Sequence, residues 1–447
     1  MSPSYPLLPD GPGEATIAFR SGRPVRRDQF IADLTVCAAR LGDATHAIPL
    51  CGDRYWFSIA FLACIARGVV SLLPSSSAPE HLAALAAQAP GTLVLLDHDA
   101  APLSPLRCVR IDTPAGAARA MPQQLPRIRA AQCVARVYTS GSTGEPQGHD
   151  KFFGCLMESV AAASRRVWTV AGAPCTVVGT PSFRHMYGLE STVLLPLFGA
   201  GRLADSQPFL PADIATALDE LPEPRLLVTT PFHLRKLLES GLKLPRLAAL
   251  LSATAPLSQQ LARQAEAELG APLLEIYGAT EVGQVATRRP GQCAEWTALD
   301  GLALTRRQDA TFVSGAALHR PQPLNDVVEL LDSTHFRLID RGAHLINIFG
   351  KRSSLGFLNQ LLLQIPGVKD GAFYLPESKQ DDVRPAAFVV APGQSAADIV
   401  AALRPYVDPV FLPRPLVLID ELPRDANGKV LARTLRQLAA THLGAKT

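Results

Sequence analysis

Helical and strand-like patterns of apolar residues alternate along the first 280 residues. Helical spacing occurs at 27–41, 55–66, 81–87, 153–170, 231–238 and 258–269, and short apolar runs occur at 47–50, 69–73, 92–96, 134–138, 176–180, 225–229, 247–251 and 273–277. Strands that alternate with helices predict βαβ units and a mostly parallel sheet. The stretch 101–129, rich in Pro, Ala and Arg, interrupts this order and is expected to wrap the surface.

The pattern changes in the last third of the chain. Short strands and turns dominate 282–338, which predicts a small distorted β-barrel or sheet. Beyond it, helical spacing at 355–364 and 396–406 mixes with strand-like runs at 371–375, 386–391 and 416–419. The predicted fold class is therefore α/β: a large N-terminal domain (1–340) of mixed, mostly parallel sheets with helices plus the small barrel, followed by a small α+β C-terminal domain (341–447).

Length, charge and cysteine content exclude several classes of protein. A chain of 447 residues predicts two or three domains or subdomains. The 43 Lys and Arg nearly balance the 40 Asp and Glu, and a net charge of +3 argues against a nucleic-acid partner. The eight cysteines form no Cys-x-x-Cys pair, so we expect reduced thiols in a cytoplasmic protein. No signal peptide is expected, and the apolar run 55–74 is broken by Arg67-Gly68, which favours a buried helix and strand over a membrane span.

One loop suggests chemistry. The predicted strand 134–138 runs into a loop with four hydroxyl side chains and two glycines, namely Thr139, Ser140, Gly141, Ser142, Thr143 and Gly144. Glycines let backbone N–H groups turn inward and hydroxyls add donors, so such a loop can hold phosphate oxygens. An ordinary Ser/Gly turn remains the alternative. No Gly-Lys-Ser/Thr closes the loop, which excludes a Walker motif, and a helix is predicted to begin near Lys151.

Two later segments follow predicted strands. His185-Met186-Tyr187-Gly188 lies at a strand-to-helix junction, where a pocket wall is plausible, although a packed core histidine fits equally. Tyr277-Gly278-Ala279-Thr280-Glu281 combines groups that can stack a base, admit a ligand, bond a phosphate and hold Mg²⁺. A plain turn with a solvated glutamate is the alternative there.

Near the end of the chain, Asn427-Gly428-Lys429 predicts a tight turn that projects its lysine. A surface lysine is the alternative for this tripeptide alone.

Taken together and in this order, the stretches resemble the motifs of the adenylate-forming (AMP-binding) superfamily of acyl- and aryl-CoA synthetases. The resemblance covers nearly the whole chain. It implies phosphate binding by residues 139–144, and catalytic roles for His185, Thr280, Glu281 and Lys429. It further implies that Tyr277 and Gly278 face adenine, that Thr280 meets the α-phosphate, that Glu281 binds Mg²⁺, that Asp326 takes the ribose hydroxyls and that Arg341 opens a hinge before a mobile C-terminal domain.

The resemblance also implies an acid pocket. His185 borders it, and the other pocket residues are Phe183, Gly188, Ser252, Ala253 and Gly278. Relatives that activate amino acids carry an aspartate near this segment, whereas Phe183-Arg184-His185 offers no carboxylate. The expected substrate is therefore a flat or apolar carboxylic acid, aryl or fatty, and not an amino acid.

The expected activity is that of an ATP- and Mg²⁺-dependent acid–thiol ligase, with CoA or an acyl carrier protein as the thiol partner. The compact chain and its His-Met-Tyr-Gly segment resemble the aryl-acid ligases of bacterial aryl-polyene pigment pathways.

Several positions depart from the motifs. Gln147 stands where the signature loop usually has a lysine, so Lys151 or His149 is expected to supply that cation. Ala343 stands at the hinge aspartate, and Asn325 replaces the glycine before Asp326. These departures leave a second hypothesis open, namely a catalytically impaired adenylate-binding protein of the same fold.

Overall fold

A computed structural model describes residues 3–99, 106–112, 124–140, 146–308, 310–341, 345–348, 351–376, 384–425 and 430–444. The strands in these residues are short. The first fifteen are β1 (Ser4–Pro6), β2 (Thr16–Arg20), β3 (Arg23–Arg26), β4 (His46–Pro49), β5 (Val70–Leu73), β6 (Leu93–Leu96), β7 (Arg107–Arg110), β8 (Arg127–Arg129), β9 (Cys133–Ser140), β10 (Pro146–Phe152), β11 (Thr176–Gly179), β12 (Arg202–Ala204), β13 (Arg225–Thr229), β14 (Ala249–Ser252) and β15 (Leu273–Ala279).

The remaining strands lie in the region where the sequence pattern changes. They are β16 (Gly283–Arg288), β17 (Trp296–Ala298), β18 (Leu302–Arg307), β19 (Ala310–Gly315), β20 (Gln322–Pro323), β21 (Asp326–Leu330), β22 (His335–Arg341), β23 (Leu345–Ile348), β24 (Lys351–Ser354), β25 (Asp370–Tyr374), β26 (Ala386–Val390) and β27 (Leu416–Leu418).

The helices of the described residues alternate with the strands up to residue 269. They are α1 (Arg27–Arg40), α2 (Arg54–Arg67), α3 (Pro79–Gln88), α4 (Phe153–Ala171), α5 (Met186–Gly188), α6 (Leu195–Phe198), α7 (Pro211–Asp219), α8 (Pro231–Glu239), α9 (Gln259–Leu269), α10 (Leu355–Leu362), α11 (Ala396–Leu403) and α12 (Ala432–Leu443). A π-helical segment, Leu189–Leu194, joins α5 to α6, and a 3₁₀ turn occupies Pro409–Phe411.

Helix α2 shows how local sequence sets these bounds. The Asp53 side chain accepts a hydrogen bond from the Trp56 N–H at 2.7 Å and thereby caps the first turn. Gly68 ends the helix at φ 71°, a conformation that glycine adopts without steric strain. Between these ends almost every residue of α2 is buried.

Two large sheets dominate the N-terminal part. The six-stranded sheet has the order β10-β9-β5-β4-β6-β7, and only its β9–β10 pair is antiparallel. The eleven-stranded sheet has the order β21-β22-β17-β16-β15-β14-β13-β11-β12-β2-β3 and is parallel from β15 to β2. The predicted α/β fold is confirmed, and the carboxyl ends of β11, β13, β14 and β15 lie along one edge.

A smaller unit follows. Strands β25, β26 and β27 form a three-stranded sheet. Leu358 and Leu362 of α10 and Ile399 and Leu403 of α11 are buried together with Phe373. This unit therefore has a hydrophobic core of its own.

The region expected to form a small distorted barrel or sheet forms sheets. Strands β16, β17, β22 and β21 extend the eleven-stranded sheet, and β18, β19 and β20 form a separate three-stranded sheet. Alternation of apolar residues predicts strands but not their partners. The helix predicted to begin near Lys151 begins at Phe153, because residues 146–152 pair with β9 as a hairpin. An ion pair between Arg136 Nε and Asp150 Oδ1 (2.6 Å) crosses this hairpin.

None of the helices in the described part of the chain is both long enough and apolar enough to span a bilayer.

Candidate active site

Three of the segments singled out by sequence meet at the carboxyl edge of the eleven-stranded sheet. The His185 segment follows β11, Ser252 ends β14, and Tyr277 lies in β15. Because β11, β13, β14 and β15 are parallel neighbours, their carboxyl ends are adjacent. Open α/β sheets bind ligands at such an edge.

Tyr277 is fixed by a long-range hydrogen bond. Its hydroxyl donates to Asp326 Oδ2 at 2.7 Å, and the residue is 6% exposed. Its ring packs against those of Trp296 and Phe336, with centroids 5.6 Å apart in both pairs. The two residues expected at adenine and ribose are thus joined across 49 positions of sequence.

Glu281 lies in the turn between β15 and β16. Its Oε1 accepts a hydrogen bond from Asn325 Nδ2 at 2.8 Å. Asn325, which stands in place of the usual glycine, therefore has a partner in the site. This contact was not predictable from the sequence pattern. We call Tyr277, Glu281, Asn325 and Asp326 the nucleotide edge.

Gly278 allows this turn to close tightly. A Cβ at Gly278 would lie 2.3 Å from the carbonyl oxygen of Gly283, so only glycine fits without movement of the backbone. Gly283 itself has φ 74°. The turn needs both glycines.

The donor set suits Mg²⁺. This ion keeps several waters and binds through one or two carboxylates plus substrate phosphates. The described residues contain no group of three or more His, Cys, Asp or Glu that could hold a metal by itself. A single carboxylate, Glu281, near His149 and Lys151 of the β9–β10 hairpin fits a metal whose other ligands are ATP phosphates and waters.

The hairpin β9–β10 carries the predicted phosphate loop. Thr139 pairs with Gln147 across the hairpin, and its Oγ1 lies 3.3 Å from His149 Nε2. Ser140 ends β9. The other loop residues, Gly141, Ser142, Thr143 and Gly144, lie outside the described residues, so their role stays a prediction.

Lys151 lies on β10 and is 7% exposed. Its ammonium donates to the backbone carbonyl oxygen of Thr280 and, at 3.4 Å, to that of Glu281. Burial lowers the pKa of Lys151, and the carboxylates of Glu190 and Glu281 oppose that effect. Burial also lowers the pKa of His149. Lys151 was expected to bind the ATP phosphates. In the structure it binds the backbone of the turn that carries Glu281.

The His185 segment forms a compact turn. The His185 N–H donates to the Ser182 carbonyl oxygen at 3.1 Å, and its own carbonyl accepts from the Leu189 N–H at 2.8 Å. A Cβ at Gly188 would lie 2.0 Å from the Ser182 oxygen. Gly188 is therefore required by chain packing, whatever its contact with substrate.

Phe183, which was expected to line the acid pocket, is buried in the hydrophobic core. It is 1% exposed, its ring centroid is 4.8 Å from that of Phe57, and the Arg54 guanidinium carbon lies 5.6 Å above it. An aromatic side chain next to buried helix α2 gains more from core packing than from facing an open site. Phe183 is therefore part of the hydrophobic core that includes α2.

The segment after β14 carries features that sequence reasoning missed. Thr254 has φ 80°, a left-handed conformation that costs a β-branched residue energy and marks functional loops in many proteins. Ser252 is fully buried, and its hydroxyl has no hydrogen-bond partner in the described residues. Ala253 is 6% exposed. The Tyr187 hydroxyl donates to the carbonyl oxygen of Leu251 at 3.0 Å and holds this segment against the His185 turn.

The C-terminal candidates are less fully described. Arg341 ends β22 and pairs in register with Asp326, whereas Lys429 and Ala343 lie outside the described residues. Five residues before Lys429, Arg424 Nη2 binds Asp370 Oδ1 at 2.6 Å. Asp370 Oδ2 also lies 3.2 Å from Arg235 Nη1 of α8. We call Arg235, Asp370 and Arg424 the loop-base cluster.

Comparisons with known proteins identify the family. The sequence matches the AMP-binding enzyme family over residues 41–307. It is 31% identical to a 4-coumarate–CoA ligase of Rhodobacter capsulatus over 279 residues, 62% of this chain and 68% of that protein. It is 25% identical to a 4-chlorobenzoate–CoA ligase of Arthrobacter sp. over 345 residues, 68% of this chain and 66% of that protein. The matched stretches span about two thirds of these relatives.

The fold is found in a solved structure as well. O-succinylbenzoate coenzyme A synthetase of Bacillus subtilis, in complex with ATP and magnesium ion, superposes with a TM-score of 0.78 at 19% identity, covering 95% of this chain and 97% of that one.

Proposed function

The chain belongs to the AMP-binding enzyme family, and from this premise we propose that it is an ATP-dependent ligase that activates an aryl acid as its adenylate and transfers the acyl group to a phosphopantetheine thiol. The two relatives named above are CoA ligases. The observation that supports the proposal most is the nucleotide edge, in which Tyr277 binds Asp326 and Asn325 binds Glu281. Motif residues from separate stretches are joined there at a ligand-binding edge.

In the first half-reaction the substrate carboxylate attacks the α-phosphorus of ATP. A bond forms between a carboxylate oxygen and that phosphorus, the bond to the bridging oxygen of the β-phosphate breaks, and pyrophosphate leaves. Positioning and charge neutralisation supply most of the catalysis in such a transfer. Asp326, an acceptor-only carboxylate, suits the two ribose hydroxyls, and the Tyr277 hydroxyl holds it in place.

The remaining roles follow the same division. Glu281 would hold Mg²⁺, whose charge would offset that of the phosphates, and Thr280 would meet the α-phosphate. Residues 139–144 hold the leaving phosphates, and Lys429 bridges the carboxylate and the α-phosphate. In the second half-reaction the thiol sulfur attacks the acyl carbon and AMP leaves. We assign 1–340 to the adenylation domain and 341–447 to a mobile domain that changes position between the two steps.

An aryl acid fits best. The relatives named above are ligases of 4-coumarate and 4-chlorobenzoate. The small residue Ala253 follows β14 at the same sheet edge as the His185 turn, and the Tyr187 hydroxyl joins the two segments. An amino acid would bury its ammonium without a partner, which costs several kcal/mol. We place the enzyme in the cytoplasm, with CoA or an acyl carrier protein as acceptor.

A second candidate, an adenylate-binding protein with impaired turnover, is favoured by one observation. Gln147 lacks the usual charge, and the nearby Lys151 ammonium is bound to backbone carbonyls in the described structure. The pyrophosphate leaving group would then be stabilised less well.

ATP–pyrophosphate exchange tests the proposal. Benzoic, cinnamic and medium-chain fatty acids are compared with free amino acids, and acceptor choice is scored afterwards with CoA and a phosphopantetheinylated carrier protein. We expect exchange with the benzoic or cinnamic acids and none with amino acids. Binding of ATP without exchange for any acid would support the impaired protein, and exchange with amino acids alone would overturn the aryl assignment.

A further inference from the structure

Glu190 is a buried carboxylate to which the reaction above gives no role. It is 2% exposed and lies in the π-helical segment between α5 and α6. Its Oε1 accepts a hydrogen bond from Ser159 Oγ of α4 at 3.1 Å. Burial raises the pKa of Glu190 to about 7, and Lys151 is the largest influence in the opposite direction.

Strand β16 approaches this carboxylate closely. A Cβ at Gly283 would lie 2.9 Å from Glu190 Oε1. The Gln284 backbone is close enough to lower the pKa of Glu190, and the Gln284 side-chain amide donates to Ser191 Oγ at 3.0 Å. The Glu190 carboxylate is therefore held against Gly283, at the end of the turn that carries Glu281.

Lys151 reaches the same turn from the other sheet. Its strand, β10, belongs to the six-stranded sheet, whereas the Thr280 and Glu281 carbonyls that it binds lie in the turn that joins β15 to β16 of the eleven-stranded sheet. A buried ammonium is stable only when its charge is compensated. The nearby acidic groups that interact with it are Glu190, Glu281, Cys155 and Asp150, and Glu190 has the largest influence.

We propose that Lys151 and Glu190 are a pair of positioning residues for the Thr280–Glu281 turn. Lys151 holds the turn by the carbonyl oxygens of Thr280 and Glu281, and the Glu190 carboxylate packs against Gly283, where the turn enters β16. The pair thereby sets the direction in which the Glu281 carboxylate presents itself to Mg²⁺. This inference rests on the proposed function, and it assigns Lys151 a role beneath the turn instead of at the phosphates.

Equilibrium binding of Mg·ATP to the full chain, measured by titration calorimetry, tests the pair without requiring turnover. Lys151→Met and Glu190→Gln are each expected to weaken Mg·ATP binding about 10- to 150-fold, the range for hydrogen bonds to charged groups. Binding of ATP in EDTA should weaken less, because the turn acts through Glu281. Lys236→Met/Glu239→Gln, which removes an exposed lysine–glutamate pair, should bind as wild type.

The double variant Lys151→Met/Glu190→Gln separates positioning from folding. Since both charges are removed together, its thermal midpoint should lie near that of wild type even where a single variant unfolds. Its Mg·ATP binding should remain weak. Wild-type binding by the folded double variant would overturn the inference, because the pair would then serve stability alone. Failure of the wild-type chain itself to bind Mg·ATP would instead overturn the proposed function, and the pair's role with it.

Discussion

The nucleotide edge and the loop-base cluster hold their functional residues in different ways. In the nucleotide edge, several separate hydrogen bonds and ring contacts connect Tyr277, Glu281, Asn325 and Asp326 to neighbouring strands. In the loop-base cluster, one carboxylate, Asp370, binds two arginines at the start of the segment that leads to Lys429. In a distributed network, each single substitution should have a small effect. In a cluster centred on one charge, removal of that charge should have a large effect.

The largest effect is expected at the centre of the cluster. Asp370→Asn leaves Arg235 and Arg424 buried without their shared carboxylate, and removal of one partner of a buried pair costs about 3–5 kcal/mol. Urea unfolding measures this loss. Asp300→Asn is the matched control, because Asp300 also binds two arginines but is exposed. A change within about 1 kcal/mol is expected there, and equal losses in both variants would contradict the comparison.

Lys429→Ala tests the residue that this segment carries. Loss of a positioned charge at the reacting phosphate is expected to lower ATP–pyrophosphate exchange about 100- to 1000-fold. Acyl transfer from a supplied acyl-adenylate should fall much less, because the α-phosphate has already reacted. Lys243→Ala, at an exposed lysine, serves as control. Exchange within a few-fold of wild type in Lys429→Ala would refute the assignment.

Substitution of Lys151 should give the next smaller loss of exchange activity. Comparison with a Gln147→Lys background shows how Lys151 acts. Lys151→Ala should lower exchange about 10- to 150-fold, as expected for a hydrogen bond to a charged group. If Lys151 acts through the Thr280 turn, the loss should be equal in the wild-type and Gln147→Lys backgrounds, since the two changes then act independently. Disappearance of the loss in the Gln147→Lys background would show that Lys151 acts on the phosphates.

Tyr277→Phe should give the smallest effect, because the rest of the nucleotide edge remains. The hydroxyl only positions the Asp326 carboxylate, so we expect the lower end of the range for a hydrogen bond to a charged group, about 1.5 kcal/mol or roughly 12-fold in Mg·ATP affinity. Tyr406→Phe, on an exposed ring, should have no effect. A loss above about 100-fold would mean that this edge depends on a single contact, like the loop-base cluster.

Sequence patterns predicted the parts that depend on local order. Alternating strands and helices predicted the parallel sheets. Because loops after parallel strands share an edge, these sheets bring the segments of His185, Ser252 and Tyr277 to one edge. The contacts between distant segments were not predictable in this way. The Asn325–Glu281 bond spans 44 positions and depends on how β21 pairs with β22.

The sequence did not predict that Lys151 lies on a strand, nor that Glu190 is buried near it. Both findings have physical causes. The alternation of residues 146–152 is weak, and the hairpin is held by pairing with β9 and by the Arg136–Asp150 ion pair. Glu190 lies in an apolar helical pattern, where a carboxylate suggests an exposed position. Its partners, Ser159, Gln284 and Lys151, come from three other elements.

The central claim is that an acid attacks the α-phosphorus of ATP, and isotope transfer tests it most directly. The substrate acid is labelled with ¹⁸O in its carboxylate, one round of thioester formation is run with ATP and the thiol acceptor, and the nucleotide product is analysed by mass spectrometry. The mechanism predicts AMP that carries one ¹⁸O on its phosphate, because the bridging oxygen of the adenylate leaves with AMP. Unlabelled AMP, or ADP with the label in inorganic phosphate, would contradict it.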